Sequence, residues 1–245
     1  MTVKSIGTLT RILAVAVALL FSEPTFVHAG TQIFYDNFDD YATDSMPTSW
    51  TVIEGASPAL LRVVEPGRLG DGKMVHLVYE SGAGVTSMHT GLDGQTDVFS
   101  VEFWFKYDYL HAVEDRSCGF EFFGDPSDTM GPWFIYVSDT VQGQFKAYSG
   151  GWLAFGSLAP QTWGHLKIVV DPAAETYDVY IDDSLELNDG PFRDSPTNLQ
   201  RFGFNASYFG VLAADYYIDD VNIYTGTEAP PPPGESAVLR WQLYD

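Results

Sequence analysis

Aromatic and charged side chains recur at alternate positions in the middle of the chain, a spacing suited to sugar recognition. Sugar rings are bound by aromatic faces packed against their C–H groups and by a few polar groups that orient the hydroxyls. Every second residue of an extended strand points to the same side. The spacing therefore predicts a polar, aromatic binding surface on one sheet, formed by Glu102, Trp104, Lys106, Glu121, Tyr136, Lys146, Tyr148 and Trp152.

Each of these rings has an alternative place in the hydrophobic core, because a large sandwich of sheets needs aromatic residues inside. Trp104 is expected to be exposed, since its neighbours on the same face of the strand are Glu102 and Lys106.

The elements that would position these residues are organised around residues 163–183. Leu166, Ile168 and Val170 fall on one face of an extended run, and residues 176–183 alternate in the same way. Asp171-Pro172 starts a reversal between the two runs, because proline presets φ for a turn and cannot donate to a sheet ladder. We predict an antiparallel hairpin with one buried face and one solvated face.

The rest of the chain after residue 29 consists of short alternating runs separated by glycine and proline, and no window keeps a helical period. The longest run, residues 99–107, places five apolar side chains on one face. Such a pattern predicts an all-β, two-sheet antiparallel β-sandwich. Residues 32–225 exceed the roughly 100 residues of an immunoglobulin-type domain, which favours a larger jelly roll.

Residues 1–29 have the features of a secretory signal peptide. Lys4 and Arg11 precede a short apolar run, and Ala29 offers a small residue for cleavage. The run is shorter than the roughly 20 residues that span a bilayer. We therefore expect a secreted or cell-surface protein with no membrane span after signal removal; a retained anchor is the alternative.

The chain is strongly acidic. Removing Lys4, Arg11 and Glu23 from its 12 basic and 33 acidic residues leaves 10 and 32, a net charge of −22. This charge excludes a nucleic-acid partner, which requires clustered cations to neutralise phosphate. It suits hard cations, which prefer oxygen ligands, although solubility alone also accounts for it. The single cysteine, Cys118, excludes an internal disulfide and is expected to be a buried, inert thiol.

The C-terminal segment is divided by four consecutive prolines. Residues 226–235 are predicted to form a stiff, proline-rich linker. Residues 236–245 are too few to fold alone, so they are expected to be a docking tail or the start of a further C-terminal domain.

Three motifs resemble the concanavalin A-like superfamily, in particular its laminin-G-like and carbohydrate-binding modules in secreted bacterial proteins. They are the acidic first strand at residues 34–39, the Trp-led hairpin at residues 163–183, and the Ile-Asp-Asp-Val strand at residues 218–221. Together they span most of residues 32–225. The resemblance implies a jelly-roll fold shared by lectins, glucanases and polysaccharide lyases, so it leaves the activity open.

The resemblance also implies a structural calcium ion that joins the first and last strands. Asp36 and Asp39 would supply ligands from the first strand, and Asp219 and Asp220 from the last. Calcium takes six to eight oxygen ligands, so backbone carbonyls and waters would complete the shell. The alternative is that these acids are solvated turn residues and strand-end caps.

The catalytic patterns of related enzymes are absent from the sequence. Glucanases of this fold carry Glu-x-Asp-x-Glu on one strand, whereas Glu121 begins Glu-Phe-Phe-Gly-Asp. Alginate lyases carry Gln-x-His, which does not occur here. His111, Arg116 and Tyr148 form the one plausible set for a lyase.

These observations favour an exported, non-catalytic β-sandwich that binds a polysaccharide or another glycan, or that serves as an adhesive module. A polysaccharide lyase or glycoside hydrolase with an altered motif is the first alternative. A purely structural domain of a surface protein is the second.

Overall fold

The computed structural model describes residues 30–53, 61–79, 86–108, 117–125, 129–138, 143–206 and 214–230. These residues form strands, turns and bends, and the strands pair into two antiparallel sheets. The predicted all-β sandwich is therefore confirmed. The strands are β1 (Gln32–Asp36), β2 (Thr51–Ile53), β3 (Leu61–Val64), β4 (Met74–Tyr79), β5 (Ser87–Gln95), β6 (Phe99–Tyr107), β7 (Ser117–Gly124), β8 (Thr129–Ser138), β9 (Gly143–Tyr148), β10 (Trp152–Leu158), β11 (Trp163–Asp171), β12 (Thr176–Ile181), β13 (Ser184–Pro191), β14 (Leu199–Asn205) and β15 (Ala214–Thr225).

The first sheet has eight strands in the order β13-β12-β11-β6-β15-β4-β3, with β1 also paired to β15. The predicted hairpin is confirmed in this sheet, because β11 pairs antiparallel with β12. Leu166, Ile168 and Val170 are buried, and the residues between them are partly exposed. Alternation along β11 thus separates the core face from the outer face as the sequence pattern predicts.

The second sheet has seven strands in the order β10-β9-β8-β7-β14-β5-β2. Strands β7 to β10 form an antiparallel meander, and β14 inserts between β7 and β5. The chain leaves the first sheet after β6 and enters the second at β7. This crossing decides which of the predicted binding residues can share a surface.

The core between the sheets is predominantly aromatic. Phe103 on β6 stacks on Phe120 of β7 with ring centroids 5.5 Å apart, which joins the two sheets. Phe120 in turn stacks on Phe134 at 4.8 Å, and Phe105 packs edge-on against Phe120 at 5.4 Å. Full burial of one such ring stabilises the fold by roughly 1.5–3 kcal/mol. Cys118 is buried in the same core, as predicted.

Candidate functional site

The eight predicted binding residues lie on two different sheets. Glu102, Trp104 and Lys106 belong to β6 in the eight-stranded sheet, whereas the other five belong to β7–β10 in the seven-stranded sheet. The prediction of one continuous surface on one sheet is therefore wrong. Strands that follow each other in the sequence need not pair, and β6 pairs with β11 and β15 instead of β7.

Tyr136 is a core residue and does not lie on an outer surface. Its side chain is fully buried against Phe105 and Phe145, and its hydroxyl donates a hydrogen bond to the carbonyl of Leu158 at 2.9 Å. Burial raises the pKa of this phenol well above its usual range. Alternation along β8 instead directs Trp133, which the sequence analysis did not select, away from the core.

Glu102, Trp104 and Lys106 do point outward, but side chains of neighbouring strands and of the loop between β3 and β4 contact them. The Arg68 guanidinium lies 3.9 Å over the Trp104 ring, and Lys106 lies 4.3 Å over the Tyr217 ring. Glu102 accepts a hydrogen bond from the Tyr224 hydroxyl and lies 3.6 Å from the Lys167 ammonium. Trp104 is only partly exposed because Arg68 covers its ring. Glu102, Trp104 and Lys106 therefore stabilise the outer face of their own sheet.

An aromatic cluster, defined here as Trp133, Tyr148 and Trp152, lies at one end of the seven-stranded sheet. The ring centroids of each pair are 5.0–5.2 Å apart, and all three contacts are edge-on or tilted. Strand pairing creates the cluster, because Trp152 on β10 lies opposite Tyr148 on β9. Trp133 is buried, Tyr148 is partly exposed, and Trp152 is 40% exposed. The cluster therefore has a rigid base and an accessible ring.

Arg193 completes the aromatic cluster and was not found by the sequence analysis. Its guanidinium lies 4.6 Å over the Trp133 ring and 5.6 Å from the Tyr148 ring, and Nη1 lies 2.8 Å from the Met130 sulfur. The segment after β13 holds it there, because the amide of Arg193 donates to the Gly131 carbonyl at 3.0 Å. Arg193 lies just after the end of β13, and no local pattern in the sequence predicts that it packs over Trp133.

Lys146 and Glu121 also lie on the outer side of the seven-stranded sheet, in different surroundings. Lys146 is partly exposed, two residues before Tyr148 on β9. Glu121 is only 3% exposed, and the Asn205 amide lies 3.4–3.5 Å from its oxygens. The His89 imidazole lies 3.9 Å from the same carboxylate, and neither of its nitrogens has a hydrogen-bond partner among the described residues. Glu121 is one of the predicted binding residues, whereas His89 and Asn205 are not.

Three of the four predicted calcium ligands line a cavity beside an irregularity in β15. β15 pairs with β4 up to Ile218 and with β1 from Val221, and a bulge separates the two halves. Asp219 is the last paired residue before the bulge, and Asp220 lies within it with a positive φ of 51°. An open cavity of about 180 Å³ lies beside it, lined by Asn37, Asp39, Leu69, Asp71, Gly72, Lys73, Asp219 and Asp220.

Asp36 does not line this cavity, and its carboxylate already accepts four hydrogen bonds. Its Oδ2 accepts hydrogen bonds from the hydroxyls of Tyr41 and Ser49 at 2.7 and 2.6 Å and from the Trp50 indole at 2.9 Å. Its Oδ1 accepts the Phe38 amide at 2.8 Å. These donors leave Oδ2 no lone pair for a metal ion, so Asp36 anchors the turn after β1.

Asp39 and Asp219 retain acceptor capacity toward the cavity. Asp39 accepts from the Lys73 amide at 2.7 Å, and the Lys73 ammonium donates to the backbone carbonyl of Asp39 at 2.9 Å. Asp219 accepts from the amides of Arg68 and Asp220 at 3.0 and 2.9 Å. Desolvation by burial is the main cause that raises the pKa of Asp219 from 3.8 to about 6.

The four predicted ligands are not arranged as a metal site. In the part of the chain that the structure describes, no three His, Cys, Asp or Glu side chains are grouped closely enough to hold an ion. Three of the four, Asp39, Asp219 and Asp220, nevertheless share the cavity. The calcium site therefore stays a prediction, with Asp39, Asp219 and Asp220 as its ligands and without Asp36.

Other predicted features lie outside the described residues. They are the signal peptide at residues 1–29, the tail at residues 236–245, and His111 and Arg116 of the lyase set. No helix in the described ranges has the length and apolar character needed to cross a membrane.

Comparison with known proteins identifies the fold. No protein-family model and no curated protein matches the chain. Among solved structures, the chain is similar to a sialidase at 12% identity and a TM-score of 0.63, covering 80% of this chain and 19% of the sialidase. It is also similar to a carbohydrate esterase from the Shiga toxin-encoding bacteriophage phi24B at 14% identity and a TM-score of 0.63, covering 81% and 100% of the two chains.

A third similar structure is domain 4 of an extracellular arabinanase from Geobacillus stearothermophilus, solved in complex with arabinotriose. Its identity is 18% and its TM-score 0.54, and the match covers 83% of this chain and 96% of that domain. The two antiparallel sheets and these neighbours define a concanavalin A-like jelly roll, which confirms the resemblance seen in the sequence at the level of the fold. Identities this low show the fold alone, because one fold hosts many activities.

Proposed function

We propose that this protein is an exported, non-catalytic module that binds glycans through the aromatic cluster and Arg193. The observation that carries the proposal is a partly exposed ring, Trp152, which packs edge-on against Tyr148 and at a tilt against Trp133. Preorganised aromatic faces suit the C–H faces of sugars, because little side-chain entropy remains to be lost on binding. Arg193 adds hydrogen-bond donors beside the rings.

The fold and its neighbours support this proposal. The phage protein is named a carbohydrate esterase, and the arabinanase domain was solved with a bound oligosaccharide. Export is inferred from residues 1–29 of the sequence, whose charge and apolar pattern is that of a secretory signal. The proline-rich segment that starts at Gly226 supports attachment to a further C-terminal domain.

The proposal also includes a structural calcium ion at the cavity beside the β15 bulge. Asp39, Asp219 and Asp220 would hold it, and a bound divalent cation would stabilise the buried charge of Asp219. These carboxylates must approach one another on binding, because they are not grouped in the described structure.

A binding assay with single-site variants tests the glycan proposal. We expect Trp152→Ala to weaken retention on an immobilised glycan panel by at least about 10-fold, since a buried aromatic contact contributes roughly 1.5–3 kcal/mol. Two controls should keep wild-type retention: Leu153→Ala, which removes an exposed apolar neighbour, and Trp104→Ala, which removes a tryptophan from the other sheet. Loss of binding in Trp104→Ala with Trp152→Ala unaffected would move the site to the eight-stranded sheet.

Glycan cleavage is a second candidate function, favoured by His89 and Glu121. A buried imidazole and a buried carboxylate 3.9 Å apart are groups that can exchange protons with a substrate. Cleavage by two carboxylates requires a second acid about 5–10 Å away, and the described contacts of Glu121 supply Asn205 and His89 instead. New reducing ends or unsaturated sugars released by the wild type and not by His89→Ala would establish this function over simple binding.

A further inference from the structure

We infer that the glycan bound by this protein is acidic and carries carboxylate groups along its chain. The inference rests on the proposed glycan-binding function and adds the chemical class of the ligand. It is carried by a row of arginine and aromatic side chains that crosses the outer face of the seven-stranded sheet and includes the aromatic cluster.

The row is continuous across neighbouring strands. At one end, the Arg201 guanidinium of β14 lies 5.0 Å over the Phe123 ring of β7. Phe123 is paired with Met130 of β8, and Met130 contacts the Arg193 guanidinium through its sulfur. Arg193 then covers Trp133, which contacts the other two rings of the aromatic cluster, Tyr148 on β9 and Trp152 on β10. Cationic and aromatic groups therefore alternate along one line.

The row is long enough for an oligosaccharide. It runs from β14 through β7, β8 and β9 to β10, which are consecutive neighbours in the sheet. With neighbouring strands about 4.8 Å apart, four steps give about 19 Å. A ligand that contacts both arginines and Trp152 must therefore be several sugar units long.

The arginines supply the chemistry that selects a carboxylate. A guanidinium presents a planar fork of donors that matches a carboxylate with two parallel hydrogen bonds, and it keeps these donors in its plane when its face stacks on a ring. The Arg193 side chain is 32% exposed, and its Nη2 has no hydrogen bond to any described residue. A row of rings alone would accept neutral sugars equally well.

The neighbouring acid Asp194 does not neutralise Arg193. Asp194 lies 3.7 Å from Nε of Arg193, but it is 47% exposed, and exposed pairs contribute about 0–1 kcal/mol. A ligand carboxylate can therefore displace it. Glu121 lies on the same face but is buried beside Asn205 and His89.

The net charge of the chain does not prevent binding of an acidic ligand. At physiological ionic strength, charges on the exposed surface are screened beyond about 8 Å. Contacts within hydrogen-bond distance of Arg193 and Arg201 are governed by these local groups. The distant carboxylates then reduce the association rate more than the final affinity.

The test compares acidic oligosaccharides with their neutral methyl esters. Oligomers of galacturonate, mannuronate, guluronate and glucuronate, each beside its methyl ester and a sulfated neutral oligomer, are titrated into the full chain near 0.15 M salt. At least one free acid should bind about 10-fold or more tightly than its ester, because charge-assisted hydrogen bonds contribute roughly 1.5–3 kcal/mol. Equal or tighter binding of the sulfated oligomer would show that charge, rather than the planar carboxylate, is selected, and would overturn the inference.

Two variants separate this inference from the function on which it rests. Arg193→Gln should reduce the preference for acid over ester toward unity, whereas Trp152→Ala should weaken the acid and the ester alike. Arg68→Gln is the matched control, since it removes the same charge from a ring on the other sheet and should keep the preference. Binding of neutral and esterified chains as tightly as acids would overturn the inference and leave glycan binding standing, whereas no binding of any glycan would overturn both.

Discussion

His89 and Glu121 face each other across Gly203, with 3.9 Å between the imidazole Nε2 and the carboxylate oxygen. Gly203 on β14 is paired with His89 of β5 on one side and with Glu121 of β7 on the other. Because the middle residue has no side chain, the imidazole can lie over its backbone. An acid and a base from strands separated by a third strand are thereby brought close together.

Gly203→Ala is expected to destabilise the fold by about 2 kcal/mol or more. A Cβ at this position would lie 1.9 Å from Cδ2 of His89 and 2.6 Å from the Met88 carbonyl oxygen, so both the ring and the backbone would have to move. Urea unfolding measures the change. Gly91→Ala on β5 is the matched control, since its Cβ would meet nothing within 4 Å, and a similar loss in both variants would contradict this packing.

Asp36→Ala is expected to lower the free energy of unfolding by about 3 kcal/mol. The substitution leaves the indole of Trp50 and the amide of Phe38 as buried donors without an acceptor, each at a cost of roughly 1–3 kcal/mol. Asp40→Ala, at an exposed position in the same turn, should change stability by less than about 0.5 kcal/mol. Chemical denaturation of the two variants side by side checks the difference.

Asp219 is expected to make stability depend on pH between about 4 and 6. Its pKa is raised by burial from 3.8 to about 6, so in this range the folded chain binds a proton that the unfolded chain has lost. The contribution of Asp219 to the free energy of unfolding is therefore full below pH 3.8 and is lost as the pH rises through 6. Relative to Asp219→Asn, the wild type should lose stability over this window when both are unfolded in urea. If the free energies of unfolding of the wild type and Asp219→Asn changed with pH in parallel, the pKa of Asp219 would not be raised in the folded chain.

Calcium is expected to raise the melting temperature of the purified chain by several degrees, since a ligand of the folded state alone stabilises that state. Asp39→Asn and Asp219→Asn should abolish the calcium-dependent shift. Asp36→Asn should melt at a lower temperature but keep the shift, because Asp36 is saturated by protein donors and does not line the cavity. Identical melting in calcium and in EDTA would remove calcium from the proposed function.

The errors in the predicted site have identifiable physical causes. β8 has aromatic or apolar side chains on both faces, Trp133 and Ile135 on one and Phe134 and Tyr136 on the other, so its composition does not mark which face is buried. For this reason the sequence pattern wrongly predicts Tyr136 at the surface and does not predict the outward position of Trp133. Arg193 reaches the aromatic cluster through a segment whose position depends on backbone hydrogen bonds to β8, some 60 residues earlier in the chain.

Most strands, though not β3 and β13, are predictable from the sequence alone, and so is the direction of their side chains where one face is clearly apolar. Phe99, Val101, Phe103, Phe105 and Tyr107 are all fully buried, as their alternation predicts, because successive side chains of a strand must point to opposite faces. The placement of Glu102 and Glu121 on different sheets, and of Arg193 over Trp133, depends on the folded structure. Strand pairing and loop packing depend on contacts between residues far apart in the chain, and such contacts leave no local pattern in the sequence.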